Sequence, residues 1–291
     1  MTDGAAADRS RPSDDFSALP VYAAIAIFAF SLLVLLGIDR LVWPYDEPGP
    51  MSEALAGLLF YLILPAFLWF GLRVFGAPRR FSIGVRPSGW QVRVYLLLGV
   101  PLIGISVAGL YAVYLPISYV KPEITAWMLD SPTIIWWRAD FDAVLASCVN
   151  AFVVVVLGPI LEEVLFRGFL LNRIWTKLGP GWATFISSLL FAALHVDPIG
   201  AFIFGIIAAL IYMRTGSLAG PILIHIANNG LLVLAFVAEG LLFGDIAVWD
   251  VAQFRSYWWW APIGGAIGIP WLIWFYRRLN GPEFAPREAV R

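Results

Sequence analysis

Charge is scarce in this chain. Asp, Glu, Lys and Arg make up 13% of its 291 residues, against 60% hydrophobic residues, and mean hydropathy reaches +0.81. A soluble globular domain carries about 25% charged residues, so ordinary soluble folds are excluded. The formal net charge is −1 with no basic tract, which argues against nucleic acid as a partner, because phosphate binding needs clustered Lys and Arg. There is one cysteine, Cys148, so a single chain can build neither a disulfide framework nor a cysteine-rich metal site. Lying in an apolar run, Cys148 reads as a small core residue. No Ser or Cys stands in a motif-like position beside a base, so a side-chain nucleophile is not indicated. Internal repeats and low-complexity tracts are absent.

What the chain does have is long apolar runs. A spanning helix needs about 20 apolar residues. Runs near 20–43, 53–75, 90–118, 142–171, 216–238 and 258–276 meet that requirement. Two shorter stretches, 181–196 and 198–213, are divided by Asp197-Pro198, where proline and its predecessor disfavour continuous helix. Each is about 24 Å long at ~1.5 Å per residue, slightly short of a ~30 Å hydrocarbon core. The expectation is an all-α polytopic membrane bundle of about eight helices over 19–278. A polar N-terminal tail at 1–18 and a cytoplasmic C-terminal tail at 279–291 would flank it. The first run is too long for the ~7–15-residue apolar region of a secretory signal and reads as a retained anchor.

Orientation follows from the basic residues, which favour short cytoplasmic loops. With the N-terminus inside, fourteen of the nineteen Lys and Arg fall on the cytoplasmic side. Four (Arg40, Lys121, Arg138 and Arg255) fall outside, and Arg167 lies within a span. Both termini are therefore expected in the cytoplasm. Trp127, Trp136, Trp137 and the cluster Tyr257-Trp258-Trp259-Trp260 fall on the outer side, as in an interfacial aromatic belt.

Charged groups at bilayer depth cost at least ~2.5 kcal/mol on insertion scales and mark function or paired structure. They concentrate in three places: Glu162-Glu163 with Arg167, Phe191 through His195, and His225 through Asn228-Asn229. The chain's only two histidines both belong to this set. Counting ~1.5 Å per residue from cytoplasmic markers puts Glu162 and His225 about 16 Å deep and His195 about 21 Å. Three helices can therefore present these groups at one level. Glu163 and Arg167 share a helix face and can form an ion pair; Glu162, about 100° round the helix, is free for another role. His225 and Asn229, also four apart, can donate toward one point. The set suits hydrolysis by activated water: Glu162 as general base, His195 polarising the water, His225 and Asn229 holding the oxyanion. Helix-to-helix glue, a three-ligand zinc site (although His-Glu-x-x-His is absent), a non-catalytic immunity-type scaffold and a transporter are competing readings.

The ordered trio Glu-Glu-x-x-x-Arg at 162–167, Phe-x-x-x-His at 191–195 and His-x-x-x-Asn at 225–229 resembles the motifs of the CAAX protease and bacteriocin-processing family. Its eukaryotic members are the Ras-converting, type II CAAX prenyl endopeptidases. The resemblance covers about 142–238. It implies an eight-helix, multi-pass intramembrane glutamate endopeptidase, in a bacterial inner membrane, that uses no metal or other cofactor. Glu162 and His195 would activate water, and His225 and Asn229 would form the oxyanion hole. Glu163, Arg167, Phe191 and Asn228 would support them. The implied partners are the lipid bilayer and a membrane-associated peptide or protein substrate, with prenylated CAAX peptides one candidate class.

Overall fold

A computed structural model describes residues 20–42, 49–75, 83–130, 134–138, 140–246 and 249–284. The tail expected over residues 1–18 lies outside the described residues, as does the last part of the expected C-terminal tail. Every regular element among the described residues is helical.

Helices α1 (Val21–Val42) and α2 (Pro50–Val74) come first, α2 opening on Pro50, whose missing N–H costs nothing in a first turn. Ser88 and Gln91 form a reciprocal capping box that starts α3 (Gly89–Leu97), and only Leu98 separates it from α4 (Gly99–Val120). The short α5 (Pro122–Leu129) follows. The Asp140 side chain then accepts from the Ala143 N–H at 2.9 Å and starts α6 (Phe141–Phe152). Next come a π-helical turn (Val153–Leu157), α7 (Gly158–Glu163), a second π segment (Val164–Leu171) and α8 (Asn172–Ala192). Gly179, at φ +82°, breaks α8 just before Pro180; a side chain there would be strained, and a new helix begins. Helices α9 (Pro198–Thr215), α10 (Ala219–Phe243), α11 (Val251–Ser256) and α12 (Trp260–Leu279) complete the chain.

Five helical stretches are long and apolar enough to cross a membrane: Pro50–Val74, Gly89–Val120, Phe141–Ala192, Pro198–Thr215 and Ala219–Phe243. The chain is a helical membrane protein. Phe141–Ala192, at 52 residues, far exceeds one span of about 20 residues and is divided by the Gly179 break. Of the three remaining places of the eight expected, the helix after Gly179 is the second part of Phe141–Ala192, and α1 and α12 stand outside those five stretches.

Glycines let helices approach closely where lipid provides no hydrophobic drive. A Cβ at Gly104 on α4 would fall 2.7 Å from the Gly264 carbonyl oxygen on α12. Across α8 and α9, Gly205 lies equally tight against Ser188. The main core gathers Tyr95, Phe166, Phe191, Phe204, Phe275 and Phe284. Phe284 comes from a 3-10 turn (Pro282–Phe284) and stacks edge-on against Phe275 at 5.5 Å. Arg214 fastens the same stretch by donating to the carbonyls of Leu279, Asn280 and Gly281 at 3.1–3.2 Å. Residues 279–284, expected in a tail, thus pack into the bundle.

On the side where the aromatic residues were expected, Asn150 donates to the Ile134 carbonyl and the Trp136 N–H donates to Ser147. Residues 134–138 are thereby strapped to α6, and the Trp137 ring lies on Gly240 of α10, where no side chain could fit. Beneath the strap a cavity of about 620 Å³ is lined by Trp136, Trp137, Val144, Cys148 and Val237, among others. The core reading of Cys148 is corrected here: it is exposed, because its face of α6 turns to the gap toward α10.

Candidate active site

The carboxylates Glu162 and Glu163 end α7, between the two π segments. Pro159 has no N–H to close the ordinary bond to the carbonyl four residues back. The chain takes the wider turn, in which the Gly158 N–H donates to the Val153 carbonyl five residues back. Such π turns inside α-helices are frequent at functional sites. Here they set the register of both carboxylates, which point to different partners.

Glu162 Oε1 accepts a 2.6 Å hydrogen bond from the Tyr61 hydroxyl of α2. Its other oxygen, Oε2, has no hydrogen-bond partner among the described residues, yet Nε2 of His195 and Nε2 of His225 each lie 3.9 Å from it. Two hydrogen bonds of about 2.8 Å placed end to end exceed that gap, so a water seated off the line can reach the carboxylate and an imidazole together. Glu163 Oε1 accepts from Arg167 Nη1 at 2.9 Å and faces His225 Nδ1 at 3.0 Å. Arg167 Nη2 donates to the Gly205 carbonyl, and the guanidinium lies 4.6 Å over the Phe191 ring. The expected ion pair of Glu163 and Arg167 is therefore formed, and His225 joins it.

Burial divides the cluster. Side-chain exposure is 0% for Glu163, 1% for Arg167 and 4% for His225, but 23% for Glu162 and 34% for His195. The accessible side belongs to Glu162 and His195. His195 lies just beyond α8, its N–H donating to the Ala192 carbonyl, its ring stacked on Phe191 at 4.3 Å. Its Nδ1 meets the Phe191 carbonyl at 2.8 Å. A carbonyl only accepts, so Nδ1 carries the hydrogen and Nε2 of the neutral ring is a lone pair facing Glu162. His225 directs its Nδ1–H to the Glu163 carboxylate. Asp197 caps α9 by accepting from the Gly200 N–H at 2.9 Å. Burial pushes the Asp197 carboxyl above its ordinary range, opposed by hydrogen bonds from Ser106 and Gly200.

Asn229 stands one turn beyond His225, but its amide donates to the Val154 carbonyl in the first π segment at 2.9 Å, and Asn228 donates to its side-chain oxygen at 3.3 Å. One Asn229 N–H remains. The structure thus brings Glu162, His195 and His225 together, with Glu163, Arg167 and Phe191 around them, and turns Asn229 toward the helix backbone. Tyr61 is the group that sequence reasoning missed; nothing in its neighbourhood distinguishes it from the chain's other tyrosines. No group of three or more His, Cys, Asp or Glu able to hold a metal ion occurs among the described residues.

Comparison with known proteins bears on residues 144–231, which match the family model described as type II CAAX prenyl endopeptidase Rce1-like. This segment is Rce1-like. Within the Rce1-like segment lie all three motifs. Over 93 residues, 28% of this chain, it is 37% identical to the membrane-embedded CAAX protease MroQ of Staphylococcus aureus (strain USA300). Over 100 residues, 33% of this chain, it is 30% identical to YdiL of Bacillus subtilis (strain 168), assigned as a membrane peptidase. The matches take in 37% and 41% of those proteins, so the chain spans about two fifths of the length of the relatives it matches. No solved structure matches the chain at comparable stringency. With its apolar helices and these bacterial membrane relatives, the chain is a multi-pass bacterial membrane protein. Tyr61 lies outside the Rce1-like segment.

Proposed function

We propose that the chain is a metal-independent intramembrane endopeptidase that hydrolyses peptide bonds of membrane-associated substrates. One observation carries this reading: the unpartnered oxygen of a partly exposed carboxylate, Glu162 Oε2, is flanked at 3.9 Å by two imidazole nitrogens, one from α10 and one from the segment just beyond α8. Simple helix glue would satisfy that oxygen with a donor; a water-activating site leaves it for water.

In this mechanism a water donates a proton to Glu162 Oε2 while hydrogen-bonded to His195, and its oxygen attacks the scissile carbonyl carbon. The carbonyl π electrons move to oxygen. His225 with both nitrogens protonated, its Nδ1–H held by Glu163, offers Nε2–H to that oxyanion, and the remaining Asn229 N–H is the second donor. The carbon–nitrogen bond then breaks, and the proton held by Glu162 passes to the leaving amine. A donor aimed at the developing oxyanion contributes roughly 10²–10³-fold in rate.

MroQ is described as a CAAX protease, which supports a prenylated CAAX-type peptide as one substrate class for this chain. Both termini are proposed to be cytoplasmic, with the membrane domain taken as 19–278 and its motif core as 142–238. The test compares cellular N- and C-terminal peptide ends in a deletion strain complemented with wild type or Glu162→Gln at matched protein levels. New ends with wild type alone establish proteolysis. Equal rescue of the deletion phenotype by both, with identical peptide ends, would replace the enzyme by a binding scaffold.

A further inference from the structure

The proteolytic reading draws every chemical group from residues 162–229, yet the shortest contact to the proposed base comes from α2. We propose that Tyr61 is the positioning residue of Glu162: its hydroxyl occupies Oε1 and commits Oε2 to the water. This rests on the proteolytic reading of the site.

Two independent features support it. The 2.6 Å length of the Tyr61–Glu162 bond lies in the range of a hydroxyl donating to a charged carboxylate, about 2.5–2.7 Å. The phenol also has a built seat. A Cβ at Gly158, on α7 beneath it, would stand 3.4 Å from Tyr61 Cζ and from its oxygen and 3.2 Å from the Val153 carbonyl. The phenol therefore packs directly over the helix backbone at van der Waals distance, and the π turn that closes at Gly158 is the same one that sets Glu162. Phe60, at 5.5 Å, braces the ring from the preceding position. The seat and the carboxylate are thus made by one stretch of helix for one hydroxyl.

The division of labour follows from geometry. A carboxylate free to rotate could turn either oxygen toward His195 and His225, or turn away from both. With Oε1 held, Oε2 has one position, and the imidazoles on α10 and at the end of α8 converge on it. The groups facing Glu162 are then Tyr61 from α2, His195 and His225, with Glu163 and Arg167 behind His225 on the helix of Glu162 itself. Asp197, beyond His195, completes the charged neighbourhood.

Tyr61→Phe keeps the ring and removes only the donor. In protein reconstituted in vesicles, the carboxylate infrared band assigned to Glu162 by difference against Glu162→Gln should shift in Tyr61→Phe. Its protonation midpoint should move one to two pH units upward, about the worth of one hydrogen bond to a charged acceptor. With a peptide named by the terminal-end comparison, the acid limb of the kcat profile should move up by the same interval, so that kcat at a pH on that limb falls at least about tenfold with KM within about twofold. Raising the pH should recover the rate. Should Tyr61→Phe fail to fold, 3-fluorotyrosine at position 61, a stronger donor with the ring retained, should move band and limb the opposite way. An infrared midpoint and rate profile that stay in place in both variants overturn the proposal. If the band moves but wild type hydrolyses no peptide, the contact is real, the proteolytic reading fails, and the catalytic role of Tyr61 fails with it.

Discussion

Replacing Arg167 with Met tests whether the buried ion pair is structural. Arg167 and Glu163 are 1% and 0% exposed, and Arg167 also donates to Gly205 and covers Phe191. Met preserves much of the volume but leaves the Glu163 carboxylate with His225 alone. Breaking a buried pair by deleting one partner costs about 3–5 kcal/mol, because an uncompensated charge stays behind. That is roughly two to three and a half powers of ten in the folded population. At about 2–4 °C per kcal/mol, the melting midpoint of the monodisperse detergent peak should fall by roughly 6–20 °C. Arg167→Met combined with Glu163→Leu removes both charges and should recover most of the loss, the sign of coupling between the two sites. A midpoint within about 2 °C of wild type for Arg167→Met would refute the structural account. Lost activity at that unchanged midpoint would move the pair into the chemistry.

Asn229→Ala should lower kcat about 10²-fold at unchanged KM if its remaining N–H meets the oxyanion; a drop in folded yield with normal kcat would leave it only the Val154 bond. Gly240→Ala places a methyl where the Trp137 ring lies, and should cost about 1–3 kcal/mol of overpacking, read as a lower melting midpoint with altered tryptophan emission. An unchanged midpoint and spectrum would show that Trp137 does not bear on α10. Chelators such as 1,10-phenanthroline should leave the peptide-cleavage rate within about twofold, whereas loss reversed by Zn²⁺ would make the chemistry that of a zinc site.

The three motifs were legible because a charge or imidazole in an apolar run has a cost, and the positions carrying that cost stand out against Leu, Val and Phe. The ion pair of Glu163 with Arg167 followed from their spacing alone. Helix positions followed from the same contrast between apolar and polar stretches, and the break before Pro180 fell at the polar hinge between the expected spans. Tyr61 was not legible: a phenol in an apolar helix is as compatible with a core or belt as with a site, and its partner is 101 residues away. Nor were the π turns. Val153 through Leu157 read as ordinary helix, and only the geometry around Gly158-Pro159 reveals the wider turn. The bond from Asn229 to Val154 depends on that turn, so spacing along α10 alone did not show that one N–H of the amide is held by the helix backbone. Phe284 looked like part of a tail because its anchoring lies in the carbonyls held by Arg214, which no periodicity reports.

A phenol supplied from a distant helix makes the site's inheritance two-part. Inserting one residue in α2 ahead of Tyr61 would swing whatever follows by about 100° and carry the hydroxyl off Glu162, while every letter of the three motifs stayed intact. Two chains can therefore spell the motifs alike and differ in whether their base is held. Transplanting residues 144–231 onto another helical scaffold would move the alphabet of the reaction without the hand that steadies it.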